Sequence, residues 1–237
     1  MIDTGFWVGL AEIIGVNIVL SGDNAVVIAL AARSLPPGER RMAIVLGSVG
    51  AIVLRVVLTV VAIELLQLAW LRLVGSLLLL WIGVKLVDDE EQRDGGGSTA
   101  RGLGGAIRTI LIADFVMSLD NVLGVAAAAH GNLTLLILGL AISIPLIVFG
   151  SALILKVMDR FPALVQIGAG LIGYVAGEML LTEPVLGAWV PKDSSVFMYA
   201  VPLLAAAFVV VAGKLLAARA GPPAAQHVID LDGERPK

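Results

Sequence analysis

The sequence predicts an all-α, polytopic membrane protein of seven transmembrane helices, arranged as two inverted three-helix repeats followed by a C-terminal helix. Three observations predict it. Across 237 residues the hydrophobic share is 59% and the mean hydropathy is +0.99, well above the roughly 45–50% apolar content of soluble domains. Apolar stretches long enough to cross a bilayer, which takes about 20 residues each, follow one another with short polar breaks. One Ser-x-Asp-Asn pattern occurs twice at matching depth in two of these stretches.

The stretches run over 6–32, 41–63, 65–87, 105–129, 133–155, 162–181 and 196–217. The first starts after Asp3 rather than a basic stretch and is too long for a signal-peptide core, so it is expected to stay in the mature chain. With the N-terminus outside, Arg33, Arg40, Arg41, Lys85, Arg93, Arg101, Arg108, Lys156, Arg160, Lys214, Arg219, Arg235 and Lys237 fall on the inside, and only Arg72 and Lys192 fall outside. Because Lys and Arg concentrate on the cytoplasmic side, this predicts a multi-pass protein with its N-terminus outside and its C-terminus in the cytoplasm. Cysteine is absent, which removes disulfides, thiolate metal sites and catalytic thiols from consideration.

The expected organisation is a first three-helix repeat over 1–87 and a flexible acidic and Gly-rich cytoplasmic linker over 88–104. A second, inverted repeat follows over 105–181, then the seventh helix with its preceding loop over 182–217 and a cytoplasmic tail over 218–237. The linker reading rests on Asp88, Asp89, Glu90, Glu91 and Asp94 followed by Gly95-Gly96-Gly97-Ser98, a solvated composition. The repeat rests on self-comparison. A shift of 97 residues brings Ser21, Asp23, Asn24, Ala29 and Ala31 onto Ser118, Asp120, Asn121, Ala126 and Ala128, with Asn17 meeting Asp114. A shift of 93 relates the third and sixth stretches more weakly through Gly75 and Gly168, and Trp81 and Tyr174. A tandem unit of three spans places its copies upside down relative to each other.

Asp23 and Asp120 each lie deep within an apolar stretch, where a carboxylate costs at least about 2.5–3.5 kcal/mol and is functional by default. In Ser21-Gly22-Asp23-Asn24 the glycine and two backbone-competing side chains favour a break that exposes carbonyl ligands. Ser118-Leu119-Asp120-Asn121 lacks the glycine and can stay helical. Asp, Asn, Ser and backbone carbonyls are hard oxygen donors suited to Mn²⁺, Ca²⁺ or Mg²⁺, and two carboxylates balance one divalent charge. The candidate ligands are therefore Asp23, Asn24, Asp114, Asp120, Asn121, Ser21, Ser118 and Asn17. The divalent cation is a substrate rather than a permanent cofactor, and no catalytic residue is expected. Arg55, buried mid-span, has two readings: a partner for Asp23, Asp114 or Asp120 that stands in for the cation, or a partner of Glu64 near the outer boundary. Gly47, Gly50, Gly124 and Gly139 are expected to let helices approach closely.

The segments LSGDNAVVIALAA and DFVMSLDNVLGVAAAA resemble the paired signatures of the TerC family of integral membrane proteins, notably its short bacterial branch of metal transporters. The resemblance spans all seven stretches. It implies kinship with LysE-like exporters, Mn²⁺ export, and a cation site built from Asp23, Asn24, Asp120 and Asn121 with Asp114 as companion. The expected function is a secondary transporter, not an enzyme, that exports a divalent cation by alternating access. Its expected partners are the metal ion and the lipid bilayer, with homo-oligomerisation left open and no nucleic acid. The competing readings are a non-transporting scaffold or metal-delivery partner of secretion, a LysE-like amino-acid exporter and an intramembrane aspartyl protease.

Overall fold

A computed structural model describes residues 4–20, 22–61, 70–94, 102–128, 132–183 and 195–220. Among these every regular element is a helix: α1 (Thr4–Leu20), α2 (Gly22–Arg33), α3 (Pro37–Val60), α4 (Leu71–Asp94), α5 (Leu103–Ala128), α6 (Leu133–Arg160), α7 (Ala163–Thr182) and α8 (Ser195–Ala220). The helices α3, α6, α7 and α8 are long and apolar enough to cross a membrane, and α1 with α2 makes a fifth crossing if the bent pair is one span. The chain is thus a polytopic helical membrane protein. Its surface agrees: Phe149, Leu204 and Val196 are about two-thirds or more exposed, while Asn17, Arg55, Asp114 and Ser118 are buried. Apolar groups outside and polar groups inside suit lipid as the solvent, where every polar group must find its partners within the protein.

Local chemistry sets the ends of these helices. Pro37 occupies the start of α3, where a missing N–H costs nothing. Asn132 caps α6 by accepting the Leu135 N–H at 3.1 Å. Glu183, just past α7, is buried and caps a different helix: its Oε2 accepts the Leu73 N–H at the start of α4 at 3.1 Å. Arg72 reinforces the same junction by donating to the Thr182 carbonyl at 3.1 Å. The start of α4 and the end of α7 therefore lie at one face of the molecule.

At the opposite face four helix ends are tied together by charge. Arg33, almost fully buried at the end of α2, pairs with Glu90 of α4 at 2.7 Å and with Asp159 of α6 at 3.1 Å. Arg40 in the first turns of α3 meets the same Asp159 at 2.8 Å, and the Arg33 carbonyl accepts from both Arg40 and Arg93. The acidic run expected as the start of a solvated linker instead continues α4 as far as Asp94. The reason is that Glu90 has a buried cationic partner, and Gln92 bonds back one turn to Asp88 at 2.7 Å. The rest of the linker, the tail beyond 220 and Glu64 lie outside the described residues.

Close helix contacts are made through glycine. An added Cβ at Gly47 of α3 would sit 2.7 Å from Ile110 of α5, which lets these two helices lie side by side as expected from the sequence. Between α7 and α8 the approach is closer still. A Cβ at Gly173 would meet the Ala205 carbonyl oxygen at 2.7 Å, and one at Gly177 the Pro202 Cα at 2.5 Å. The helix that carries Asp114, Ser118 and Asp120, α5, packs on α1, α2, α3 and α4.

Candidate metal-cation site

The first signature breaks its helix. Here α1 stops at Leu20, α2 begins at Gly22, and the two segments meet at 50°. The second signature does not: α5 runs unbroken from Leu103 to Ala128. The difference follows from Gly22, which has no counterpart at Leu119, since glycine weakens a helix interior and leucine supports it.

The break places Asp23 and Asn24 in the first turn of α2, where the helix dipole favours negative charge. The Asp23 carboxylate accepts the Asn24 backbone N–H at 2.8 Å, and the charges of Arg55 and Asp114 both act on it. Asn24 is 3% exposed, yet neither its amide nitrogen nor its carbonyl oxygen has a hydrogen-bond partner among the described residues. Leaving such a group unsatisfied costs about 1–3 kcal/mol.

One side chain gathers the rest of the site. Arg55 of α3, 1% exposed, reaches between α1 and α5. Its Nη2 donates to Asp114 Oδ1 at 2.6 Å, its Nη1 to Asn17 Oδ1 at 2.6 Å and its Nε to Ser118 Oγ at 3.0 Å. Ser118 in turn donates to Asp114 Oδ2 at 3.2 Å across one turn of α5. Of the two readings of Arg55, the structure thus supports pairing with a site carboxylate. Asn17, Asp114 and Ser118 come together on the guanidinium, and Asp23 at the break lies within reach of the Arg55 and Asp114 charges.

Asp120 and Asn121 lie on α5 beyond Asp114, a rise of about 9 Å for six residues along the helix. The Asp120 side chain and Ser21 lie outside the described residues, so the approach of Asp23 to Asp120 expected from the repeat is not described. Among the described residues no three His, Cys, Asp or Glu side chains group together. The oxygens of this site come from two carboxylates supplemented by amides and a hydroxyl.

Two features escaped the sequence reading. The Arg33–Glu90–Asp159 network was hidden in a positive-inside count that treated each charge singly, and only its four-helix convergence reveals it. Glu183 follows an apolar stretch, where an acid normally faces water, so the sequence carries no signal of its buried capping role.

A buried polar cluster at a broken helix inside a lipid-facing bundle is the architecture against which family membership can be judged. The model of the integral membrane protein TerC family matches residues 2–220. The chain belongs to the TerC family. Among its relatives, the uncharacterized membrane protein YjbE of Bacillus subtilis (strain 168) is 39% identical over 208 residues, covering 87% of this chain and 94% of that protein. The uncharacterized membrane protein YceF of the same organism is 26% identical, covering 73% of this chain and 70% of its own length. The UPF0053 inner membrane protein YgdQ of Escherichia coli (strain K12) is 24% identical, covering 76% and 82%. No solved structure matches. The TerC match includes both Asp-Asn signatures and the whole helical bundle described above.

Proposed function

We propose that this TerC-family protein is a secondary transporter that exports a divalent metal cation, Mn²⁺ before Ca²⁺ or Mg²⁺, across the bacterial inner membrane. The observation that carries the reading is the buried polar cluster of Asp114, Asn17 and Ser118 on Arg55, with Asp23 at the helix break under the charges of Arg55 and Asp114 and the buried Asn24 amide next to it in the chain left without a partner. The carboxylates, amides and hydroxyl are hard oxygen donors, and once the Arg55 guanidinium is displaced from Asp114 the carboxylates Asp23 and Asp114 carry the two negative charges that balance one divalent ion. The preference for Mn²⁺ rests on the family resemblance rather than on this geometry.

Alternating access needs two halves that move about a central site. On the seven-span reading, in which α1 with α2 is one span and α4 and α5 cross besides the up to five helices apolar and long enough to do so, the site lies in the first and fourth spans, and the repeated Ser-x-Asp-Asn pattern supports an inverted relation between the halves. The contacts at the two faces fit this path. The ends of α2, α4 and α6 and the start of α3 share one face, and the start of α4 and the end of α7 share the other. The first of these faces holds Arg33, Arg40 and Arg93, which supports a cytoplasmic assignment for it and an N-terminus outside. The membrane assignment is supported by YgdQ, whose name describes an inner membrane protein.

The test is movement of ⁵⁴Mn²⁺ in sealed proteoliposomes containing the full chain, with Ca²⁺, Mg²⁺ and Zn²⁺ as competitors. Flux is expected with the wild type, and loss of at least about tenfold with Asp23→Asn at equal protein abundance, because one missing charge leaves the cation unbalanced at low dielectric. Wild-type protein that moves none of these ions would refute transport and favour a scaffold or metal-delivery role.

A further inference from the structure

Arg55 touches the oxygens that a cation in this site would use. Its three donor nitrogens take Asp114 Oδ1, Asn17 Oδ1 and Ser118 Oγ at 2.6, 2.6 and 3.0 Å, and the remaining Asp114 oxygen accepts from Ser118. A metal bonded to those oxygens at about 2–2.6 Å would stand within a few ångströms of the guanidinium in a site that water reaches poorly. Two cations at that spacing repel strongly where the dielectric constant is low. The guanidinium and a divalent ion cannot share those oxygens at that spacing. Arg55 must move.

We propose that Arg55 is a tethered counter-cation that competes with the transported ion for Asp114, Asn17 and Ser118, and so sets both affinity and release. This inference rests on the transport reading above. The entering divalent ion meets Asp23 and the Asn24 amide first, since these are not engaged by Arg55 in the described hydrogen bonds. It then takes the Asp114 carboxylate from the guanidinium. On the far side the guanidinium returns to Asp114 and lowers the hold on the metal, which leaves.

A purely structural ion pair does not account for the arrangement. Buried pairs are often no more stabilising than apolar residues of similar size. This one also commits a third partner from a separate helix, Asn17, and its charges act on Asp23 at the helix break.

The experiment measures Mn²⁺ binding to the purified full chain, through the electron paramagnetic resonance signal of free Mn²⁺, together with ⁵⁴Mn²⁺ flux in proteoliposomes. In Arg55→Gln the competitor is gone, so Kd for Mn²⁺ is expected to fall at least about tenfold while turnover also falls, because release loses its driving group. Arg55→Lys keeps the charge with fewer hydrogen bonds. It is expected to give a Kd about threefold or more below wild type and turnover between wild type and Arg55→Gln. A role confined to structure would instead weaken binding and flux together. If Arg55→Gln does not purify as a monodisperse helical protein, Arg55→Lys alone decides, and a Kd unchanged or raised in that variant overturns the inference. Wild-type flux with such a result would reject the competitor role and leave transport standing. Wild-type protein that neither binds nor moves Mn²⁺ would reject both.

Discussion

Breaking the Arg55–Asp114 pair from either side should cost stability, whereas removing it whole should not. The two groups are 2.6 Å apart and their side chains are 2% and 4% exposed, so solvent screens them little. At a charge separation of about 4 Å and an effective dielectric constant of about 20, their attraction is about 4 kcal/mol. Truncating one partner of a buried pair costs about 3–5 kcal/mol, because the other charge is left without compensation. For a chain of this size each kcal/mol moves Tm by about 2–4 °C, so Arg55→Met and Asp114→Leu should each lower it by roughly 6–20 °C. The combined variant replaces the pair with apolar groups of similar bulk and should recover most of that loss. Thermal unfolding in detergent, followed by tryptophan fluorescence, measures all four proteins, and the coupling energy is the departure from additivity. A combined variant whose loss equals the two single losses added together would refute the claim that these groups stabilise each other.

Gly173→Val should prevent the close seating of α7 on α8, since even a Cβ there meets the Ala205 carbonyl at 2.7 Å. Overpacking of this kind costs about 1–3 kcal/mol or more, which a lowered Tm and reduced yield in detergent would register, whereas Gly38→Ala, with open space around it, should leave both nearly unchanged. In the charge network, Arg33→Met should destabilise more than Asp159→Asn. Arg33 is almost fully buried and bridges two acids, while Asp159 is over a third exposed, where ion pairs contribute about 0–1 kcal/mol. Equal shifts in Tm would contradict that ranking.

The sequence by itself determined the membrane class, the helical content and the break at the first signature. Each of these is a local or compositional property: apolar length, charge spacing and a glycine next to side chains that compete with the backbone. It also marked Asp23, Asn24, Asp114 and Ser118, because a carboxylate within an apolar stretch has a cost that shows without any structure. The tertiary structure decided what these residues do to one another. Helical periodicity tells which residues share a face, and it is silent on which faces meet, so the choice between Glu64 and a site carboxylate for Arg55 stayed open until α3 was seen packed on α5. The same holds for Glu90. In sequence it belongs to an acidic run before a Gly-rich segment, and only the convergence of α2, α4 and α6 gives it a buried arginine. Asn17 shows the difference most directly: from the repeat it was the neutral counterpart of Asp114, and in the fold it shares one guanidinium with that residue. Charges separated by tens of residues pair only when packing brings them within a few ångströms, and packing is settled by the shapes of whole helices.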